Sequence, residues 1–482
     1  MGSFCSNPEV LPGKYSGQNS LSKRSLSKVI SKRQANPKTL YKNLKMIGKG
    51  TYSSVYLVEN KKTSAKRAMK EIRKSALKEN AQETIYNEII ILSQLDHPNI
   101  VKIFEVIDSP SFFYIISEYL EGGELFQRLT ESDHINESLV CRYMYDTTSA
   151  IYYCHSKGVI HKDLKPENLM FDVTGQDSTL KIIDFGTSAR LTGIQGDTIP
   201  AVGTIYYLSP EQIKGHVSEK SDIWSLGIIM YMTLCNFYSA GKLPFYGKSF
   251  DETVDNILNT DISFIGEVWN NISNAAQNLI EALLDKDPEK RPSADKILMH
   301  PWFKDYSSIA ISKTSSSLQA LKNLSEFKSE SKVIKYLFMV IACQHSEIAN
   351  NYELMNLFKA LDKDRDGKLN QQEILDGLLE FGFHNNIEEI MEQIDINMNG
   401  FVEYSEFLVA TQDWKKLIAR KNIFDILKSE TLENNLNMYD IKAALPMLDI
   451  SEVHDFVNEI DMDGDGKITI EDMKRFFLDN LG

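Results

Sequence analysis

HKDLKPEN, residues 161–168, is the stretch whose reading decides the fold. It sets a carboxylate (Asp163), a lysine (Lys165) and an amide (Asn168) within six residues, and IIDFG (182–186) adds a second carboxylate, Asp184. Either motif alone could arise by chance, so the flanking sequence carries the weight. Upstream, IGKGTYSSVYLV (47–58) is two β-like apolar runs around a glycine-rich turn. Gly48 and Gly50 would let backbone N–H groups come close to phosphates. Ala68-Met69-Lys70 falls on the next strand, and Glu88 opens a helical pattern, EIIILSQLDHPNI (88–100). FFYIISEYLEGGELF (112–126) reads as another strand and the connection after it. Downstream come Ser209-Pro210-Glu211, DIWSLGI (222–228), KRPSA (290–294) and HPWF (300–303).

In this order and spacing the motifs resemble the protein kinases over residues 43–303. The resemblance implies an α+β bilobal fold. It places Ile47, Gly48, Lys49, Gly50, Thr51, Tyr52, Ser53, Ser54 and Val55 over the phosphates of ATP. Lys70 would hold the α/β-phosphates and pair with Glu88. Glu118 to Leu120 would face adenine, with Ser117 gating the pocket behind it. Asp163 would accept the substrate hydroxyl proton, Lys165 would neutralise the transferring group, and Asn168 and Asp184 would hold Mg²⁺. Phosphoryl transfer needs mainly positioning and charge neutralisation, which these residue types supply. KPEN (165–168) and Thr204 indicate Ser/Thr specificity. Glu124 and Glu167 sit where basic-directed kinases place acids, although Glu124 also suits the ATP ribose. Arg291 is the expected partner of Glu211. NFYSAGKLPF (236–245) reads as a surface insertion. A non-catalytic kinase-like protein would need damage at Lys70, Asp163, Asn168 or Asp184, and all four residue types are present.

The activation segment, DTIPAVGTIYYLSPE (197–211), departs from the family. Where relatives carry a phosphorylatable threonine, three residues before Gly203, this chain has Pro200. The catalytic motif also carries Lys162 in place of arginine, which removes a bidentate fork. The segment is therefore expected to order without phosphate there, with control located elsewhere and Thr198 the nearest other hydroxyl.

That control is legible near the C-terminus. Gly367, Gly400 and Gly466 are spaced by 33 and 66 residues, the signature of a repeat with one unit obscured. DKDRDGKLNQQE (362–373) fits an EF-hand loop. Ca²⁺ takes six to eight oxygens, and here they come from Asp362, Asp364, Asp366, the Lys368 carbonyl and Glu373. DINMNGFVEYSE (395–406) offers Asp395, Asn397, Asn399, the Phe401 carbonyl and Glu406. DMDGDGKITIED (461–472) offers Asp461, Asp463, Asp465, the Lys467 carbonyl and Asp472, whose shorter side chain predicts poorer selectivity against Mg²⁺. The obscured unit is SETLENNLNMYD (429–440), with Ser429, Thr431 and Glu433 at ligand positions and Asn434 for glycine. Its Leu436 matches Leu369, Val402 and Ile468, so packing is its expected role. An all-α calcium-sensor domain is expected over 346–482.

Between the halves, 304–345 starts with a Ser-rich connector, ISKTSSSL (311–318). Leu318, Leu321, Leu324 and Phe327 then recur at near-helical spacing. VIKYLFMVIA (333–342) is apolar almost all round, which predicts a helix buried on several sides. Open EF-hand grooves take such helices. This segment is the expected intramolecular partner of the EF-hands, with Lys322, Lys328, Lys332 and Lys335 as candidates for the acidic substrate site.

The chain opens MGSFCS, which fits N-myristoylation at Gly2, with Cys5 available for palmitoylation. No acid occurs between Glu9 and Glu59, and basic residues from Lys14 to Lys49 would supply a further membrane signal. The tail, 1–42, reads as unfolded, and the expected location is the cytoplasmic face of a membrane, the plasma membrane foremost. A net charge of −14 argues against general nucleic-acid binding. The five cysteines form no C-x-x-C pair, which points away from a disulfide framework. Acylated tail, kinase, junction helix and four EF-hand units together resemble the calcium-dependent protein kinases of plants and protists. That resemblance implies ATP, Mg²⁺ and Ca²⁺ as cofactors, protein substrates and a kinase restrained by its junction without Ca²⁺; the design requires only a monomer. A calcium-controlled scaffold and a kinase answering to external calmodulin are the competing readings.

Overall fold

β-Branched and aromatic residues dominate the two strands IFEVID and FFYIISE, and six strands make the first sheet. They are β1 (Ser31–Arg33), β2 (Tyr41–Lys49), β3 (Ser53–Asn60), β4 (Lys66–Arg73), β5 (Ile103–Asp108) and β6 (Phe112–Glu118), in the order β1-β5-β6-β4-β3-β2. The structure is a computed structural model. It describes residues 31–33, 36–50, 53–76, 91–92, 94–130, 136–175, 178–185, 188–190, 204–235, 243–304, 314–329, 332–344, 351–419, 450–461, 464–465, 467–469, 471–473 and 475–476. Side chains alternate along β6, as a strand requires. Phe113 and Ile115 join the main core, while Tyr114 and Ile116 join an outer cluster with Leu40, Tyr41, Val58, Met69 and Ile107.

That outer cluster corrects the expected tail boundary. Asn36 accepts a hydrogen bond from the Lys38 N–H and caps a short helix, Pro37–Leu40, with proline in its first turn. Leu40 and Tyr41 are buried, and the Tyr41 hydroxyl donates to buried Glu105. β1 lies parallel to β5 with Ser31 opposite Glu105. Two apolar residues and an Asn-Pro helix start thus draw the end of the tail onto the small lobe.

The larger lobe is built on two buried helices, Glu137–Ser156 and Glu219–Leu234. Ser221 through Leu234 are all buried, and Asp222 is the one charged residue among them. Arg291 holds Glu211 by two hydrogen bonds, 2.6 and 2.8 Å, as the sequence suggested. Burial opposes the Glu211 charge, but the Arg291 guanidinium outweighs it and holds the carboxyl below its usual range.

A separate core joins the junction to the C-terminal helices. The SSS of the supposed connector instead forms the first turn of a helix, Ser315–Glu326, because Thr314 caps it through the Ser317 N–H. Leu318 is exposed there, while Leu321, Leu324 and Phe327 are buried. The next helix, Lys332–Gln344, is enclosed: Ile334 and Leu337 through Cys343 are all buried. Phe338 stacks on Trp414 at 3.8 Å between ring centroids. Around it lie Tyr352–Leu361, Gln371–Glu380, Ile387–Ile394, Tyr404–Ala410 and Ile450–Ile460. Leu369 and Val402 exchange two backbone hydrogen bonds, 2.9 and 2.8 Å, which joins the first two loops as the sequence suggested.

This core sits on the larger lobe. Lys359 bonds Asp146 at 2.6 Å and Lys157 bonds Glu403 at 2.8 Å. Both carboxylates are buried, so removing either lysine would strand a charge, at a cost on the order of 3–5 kcal/mol. No helix among the described residues is long and apolar enough to cross a membrane.

Candidate functional site

The catalytic stretch is held by a residue far along the chain. Asp222, fully buried, accepts the N–H groups of His161 (2.9 Å) and Lys162 (2.8 Å) and bonds the His155 ring (2.9 Å). Burial works against its charge, but these donors win and hold its carboxyl below the usual range. Lys162 is left-handed at φ +70°, a conformation that costs a non-glycine residue about 1–3 kcal/mol and persists only where its surroundings impose it. Asp222 imposes it. In the sequence Asp222 is only a landmark, although a carboxylate directly before the apolar run IWSLGIIM (223–230) signals an internal anchor.

The turn brings three of the expected residues together. Lys165 Nζ bonds Asp163 Oδ2 at 2.6 Å, and Asn168 Nδ2 donates to the Asp163 carbonyl at 2.8 Å. Asp163 Oδ1 is buried with no hydrogen-bond partner among the described residues. The Ile183 N–H donates to the Asn168 carbonyl at 2.9 Å, which ties this loop to the segment carrying Asp184. Asp184 is also left-handed, at φ +58°. Lys70, on β4 opposite Ile115 of β6, bonds Asp184 Oδ1 at 2.9 Å. Glu88, its expected partner, lies outside the described residues, so the described ion pair joins Lys70 to the other carboxylate.

Gly48 pairs with Val55 and Lys49 with Ser54 across β2 and β3, and Ile47 falls at a break in register. The Gly50 N–H donates to the Ser53 carbonyl at 2.8 Å, closing the turn; Thr51 and Tyr52 at its tip are outside the described residues. Glu118 and Leu120 are buried. Gly122 has no room for a side chain, since a Cβ would meet the Val173 carbonyl at 2.3 Å. Burial and then nearby Glu167 raise the Glu124 carboxyl, so these two acids share a neighbourhood. Thr198, Pro200 and Gly203 lie outside the described residues, as do residues 236–242 of the insertion.

The first calcium loop is a cluster of oxygens. Ligand oxygens of Asp362, Asp364 and Glu373 all lie within 4.8 Å of one another. Glu373 is aimed by three backbone donors: Lys363 N–H (2.7 Å) and Asp364 N–H (3.1 Å) on one oxygen, Asn370 N–H (2.9 Å) on the other. Asp362 Oδ2 accepts the Gly367 N–H at 3.0 Å, while Oδ1 is buried without a partner. Burial, then Glu373 and Asp366, push the Asp362 carboxyl well up. A divalent cation would relieve that crowding, so the donor set fits Ca²⁺. Asp366 accepts the Lys368 N–H at 3.0 Å.

Loop 395–406 repeats the geometry with fewer charges. Asp395 accepts the N–H groups of Asn399 and Gly400, and Glu406 accepts those of Ile396, Asn397 and Glu403. Asn397 Oδ1 is buried without a partner, and Phe401 N–H bonds Asn399. In loop 461–472, Asp461 accepts from Gly464 and Asp465, Asp465 from Lys467, and Asp472 from Thr469. Asp463, Gly466 and the whole of 429–440 lie outside the described residues. The fourth loop position is left-handed each time, at Arg365, Met398 and Gly464. Sequence reading asked for a turn only at the sixth.

The first loop also touches the larger lobe. A Cβ on Gly367, at φ +78°, would meet His97 Cδ2 at 2.6 Å and Tyr153 Cδ2 at 2.9 Å. Arg365 donates to the Leu298 carbonyl and lies 5.1 Å from the centroid of the Tyr145 ring. Lys322 is exposed beside Glu326, whereas Lys335 is buried in the sensor against the Glu392 carbonyl, at 3.5 Å. In this arrangement Lys335 is therefore not at Glu124 and Glu167.

A two-lobed fold with this catalytic turn, carrying oxygen-lined calcium loops on the same chain, defines a protein kinase with its own EF-hand sensor. The protein kinase domain model matches residues 41–303, the EF-hand domain pair 351–412, and a single EF hand 455–478. Calcium-dependent protein kinase 3 of Plasmodium berghei is 32% identical over 437 residues, 88% of this chain and 77% of that protein. Calcium-dependent protein kinase 5 of Plasmodium falciparum is 31% identical over 438 residues, 88% of this chain and 75% of that one. The chain belongs to the calcium-dependent protein kinase family. It is a protein serine/threonine kinase that uses ATP and Mg²⁺ and carries EF-hands for Ca²⁺.

Proposed function

We propose that Ca²⁺ binding to the EF-hand loops switches on transfer of the ATP γ-phosphate to protein serine or threonine. The observation that carries this is the direct seat of the first calcium loop on the larger lobe, with Gly367 against His97 and Tyr153. A loop that binds metal and touches the kinase in one turn can link the two. The junction, 304–345, is the restraining segment, held by the sensor when Ca²⁺ is bound. Assay of the purified protein with Mg²⁺-ATP should show activity in Ca²⁺ and little in EGTA, without added calmodulin. Equal activity in both, or a need for calmodulin, refutes the proposal.

Asp163 Oδ1 takes the hydroxyl proton of the substrate while Lys165 fixes Oδ2. Lys70 holds the phosphates and Lys165 faces the charge moving between donor and acceptor. Asn168 and Asp184 would hold Mg²⁺, which would supply positive charge to offset that of the phosphates. The residues from Ile47 to Val55 close over the phosphates, and Glu118 to Leu120 face adenine. Glu124 and Glu167, crowded together, favour substrates with a basic side chain near the acceptor. Ca²⁺ is assigned to 362–373, 395–406 and 461–472.

Acylation at Gly2 and Cys5 would bring the chain to the cytoplasmic face of a membrane. One myristoyl chain binds only marginally, so Cys5 and the basic tail supply the second signal. Labelled myristate should enter the wild-type chain and not Gly2→Ala. Failure to label the wild type in a competent cell would rule acylation out.

A further inference from the structure

Residues 96–102 collect contacts from the regulatory half of the chain and make contacts with the catalytic half. On the receiving side, the Ser405 N–H donates to Asp96 Oδ2 at 2.9 Å. Gly367 packs on His97. Lys102 Nζ donates to Cys343 Sγ, in the last turn of the junction helix, at 2.6 Å. Burial pushes the Cys343 thiol above its ordinary range, so it meets Lys102 as a neutral acceptor.

On the transmitting side, the same Lys102 uses its backbone. Its N–H donates to Glu118 Oε1 at 2.8 Å, and its carbonyl accepts the Glu118 N–H at 3.0 Å. Glu118 Oε1 also takes Lys181 Nζ at 2.9 Å, in a pair whose side chains are about a tenth exposed. Asn99 and Val101 meanwhile bond both backbone groups of Ile182, at 2.8 and 2.9 Å, two residues before Asp184. Glu118 ends β6 and begins the connection between the lobes. Its carboxylate is turned back into the protein, so the path of the backbone at 118–120 is set by Lys102 and Lys181. Among the described residues, Lys102 joins its side chain to the junction helix and its peptide groups to this connection.

We propose that Lys102 is a positioning residue that ties the adenine-facing connection to the docked junction helix, so that ATP binds more tightly when the helix is seated. The proposal rests on the assignment of 118–120 to adenine. A neutral side chain of similar length would leave the Cys343 end unanchored while keeping most of the packing.

Initial rates of the full chain in saturating Ca²⁺ test this. Lys102→Met should raise the KM for ATP about tenfold, the scale of one charge-assisted hydrogen bond, with kcat at saturating ATP within about twofold. Cys343→Val should shift KM the same way, and Cys343→Ser, which keeps an acceptor, should restore it. Should Lys102→Met fail to fold, the Val and Ser variants at Cys343 carry the test alone. An unchanged KM in a folded variant, or a fall in kcat with KM constant, overturns the proposal. A separate readout checks the assignment beneath it: a non-hydrolysable ATP analogue should slow amide hydrogen exchange at 118–122. Absence of protection there refutes the assignment itself. Protection together with a wild-type KM refutes only the role of Lys102.

Discussion

Asp163→Asn is expected to yield a folded protein that binds ATP and Ca²⁺ as the wild type does, yet transfers phosphate about 10²–10⁴-fold more slowly. The reasoning is local. Lys165 holds one carboxylate oxygen at 2.6 Å, and the other is buried without a partner. Asparagine keeps the shape, and its oxygen can still accept from Lys165. Its amide nitrogen would then occupy the open position, where it donates a hydrogen bond and cannot take a proton. Ground-state binding should survive, because Lys70 and Asp184, with the loop closed by Gly50 and Ser53, are untouched. Steady-state rates with saturating Mg²⁺-ATP and Ca²⁺, beside nucleotide titration, give the answer. A kcat within about threefold of wild type would remove Asp163 from the role of base.

The second large effect is on the switch. Glu373→Gln should raise the Ca²⁺ concentration for half-maximal activity about tenfold or more, while activity at saturating Ca²⁺ persists at a reduced level. Glu373 is oriented by three backbone N–H groups, and each needs an acceptor. Glutamine replaces one acceptor oxygen with a donor, so at least one backbone N–H is left facing another donor. A charge is lost from the cluster as well. Loops 395–406 and 461–472 are unaltered and so limit the loss. A Ca²⁺ titration of kinase rate decides it, and a midpoint equal to wild type would show that the first loop does not set the response.

Much of this was legible because it is local in sequence. The catalytic turn, the glycine-rich turn and the calcium loops each confine their chemistry to about a dozen residues or fewer, so residue type and spacing expose them. The enclosed junction helix was equally readable, since VIKYLFMVIA has no polar face to offer water. What escaped depends on contacts between distant segments. Lys102 and Cys343 are 241 residues apart, and neither belongs to a periodic pattern that would mark it. Asp222 was visible as a charge in an apolar helix, but not as the anchor of Lys162. Tyr41 and Leu40 were hidden in a basic stretch whose charge suggested solvent. The left-handed backbone at Arg365 and Met398 is imposed by the closing of the loop, which an arginine or a methionine does not announce.

Gly367 carries two separate demands: a left-handed turn for the metal and a surface free of atoms for His97 and Tyr153. The turn could tolerate asparagine, which reaches that conformation at modest cost, but the docking surface could not. A calcium sensor is ordinarily retuned by exchanging residues in its loops. At Gly367 the first loop has lost that freedom, since any side chain there would also press on His97 and Tyr153 of the kinase. Gly400 has the same turn, with nothing among the described residues within 4 Å of a Cβ. Selection acting on the sixth loop position therefore has open ground at Gly400 and almost none at Gly367.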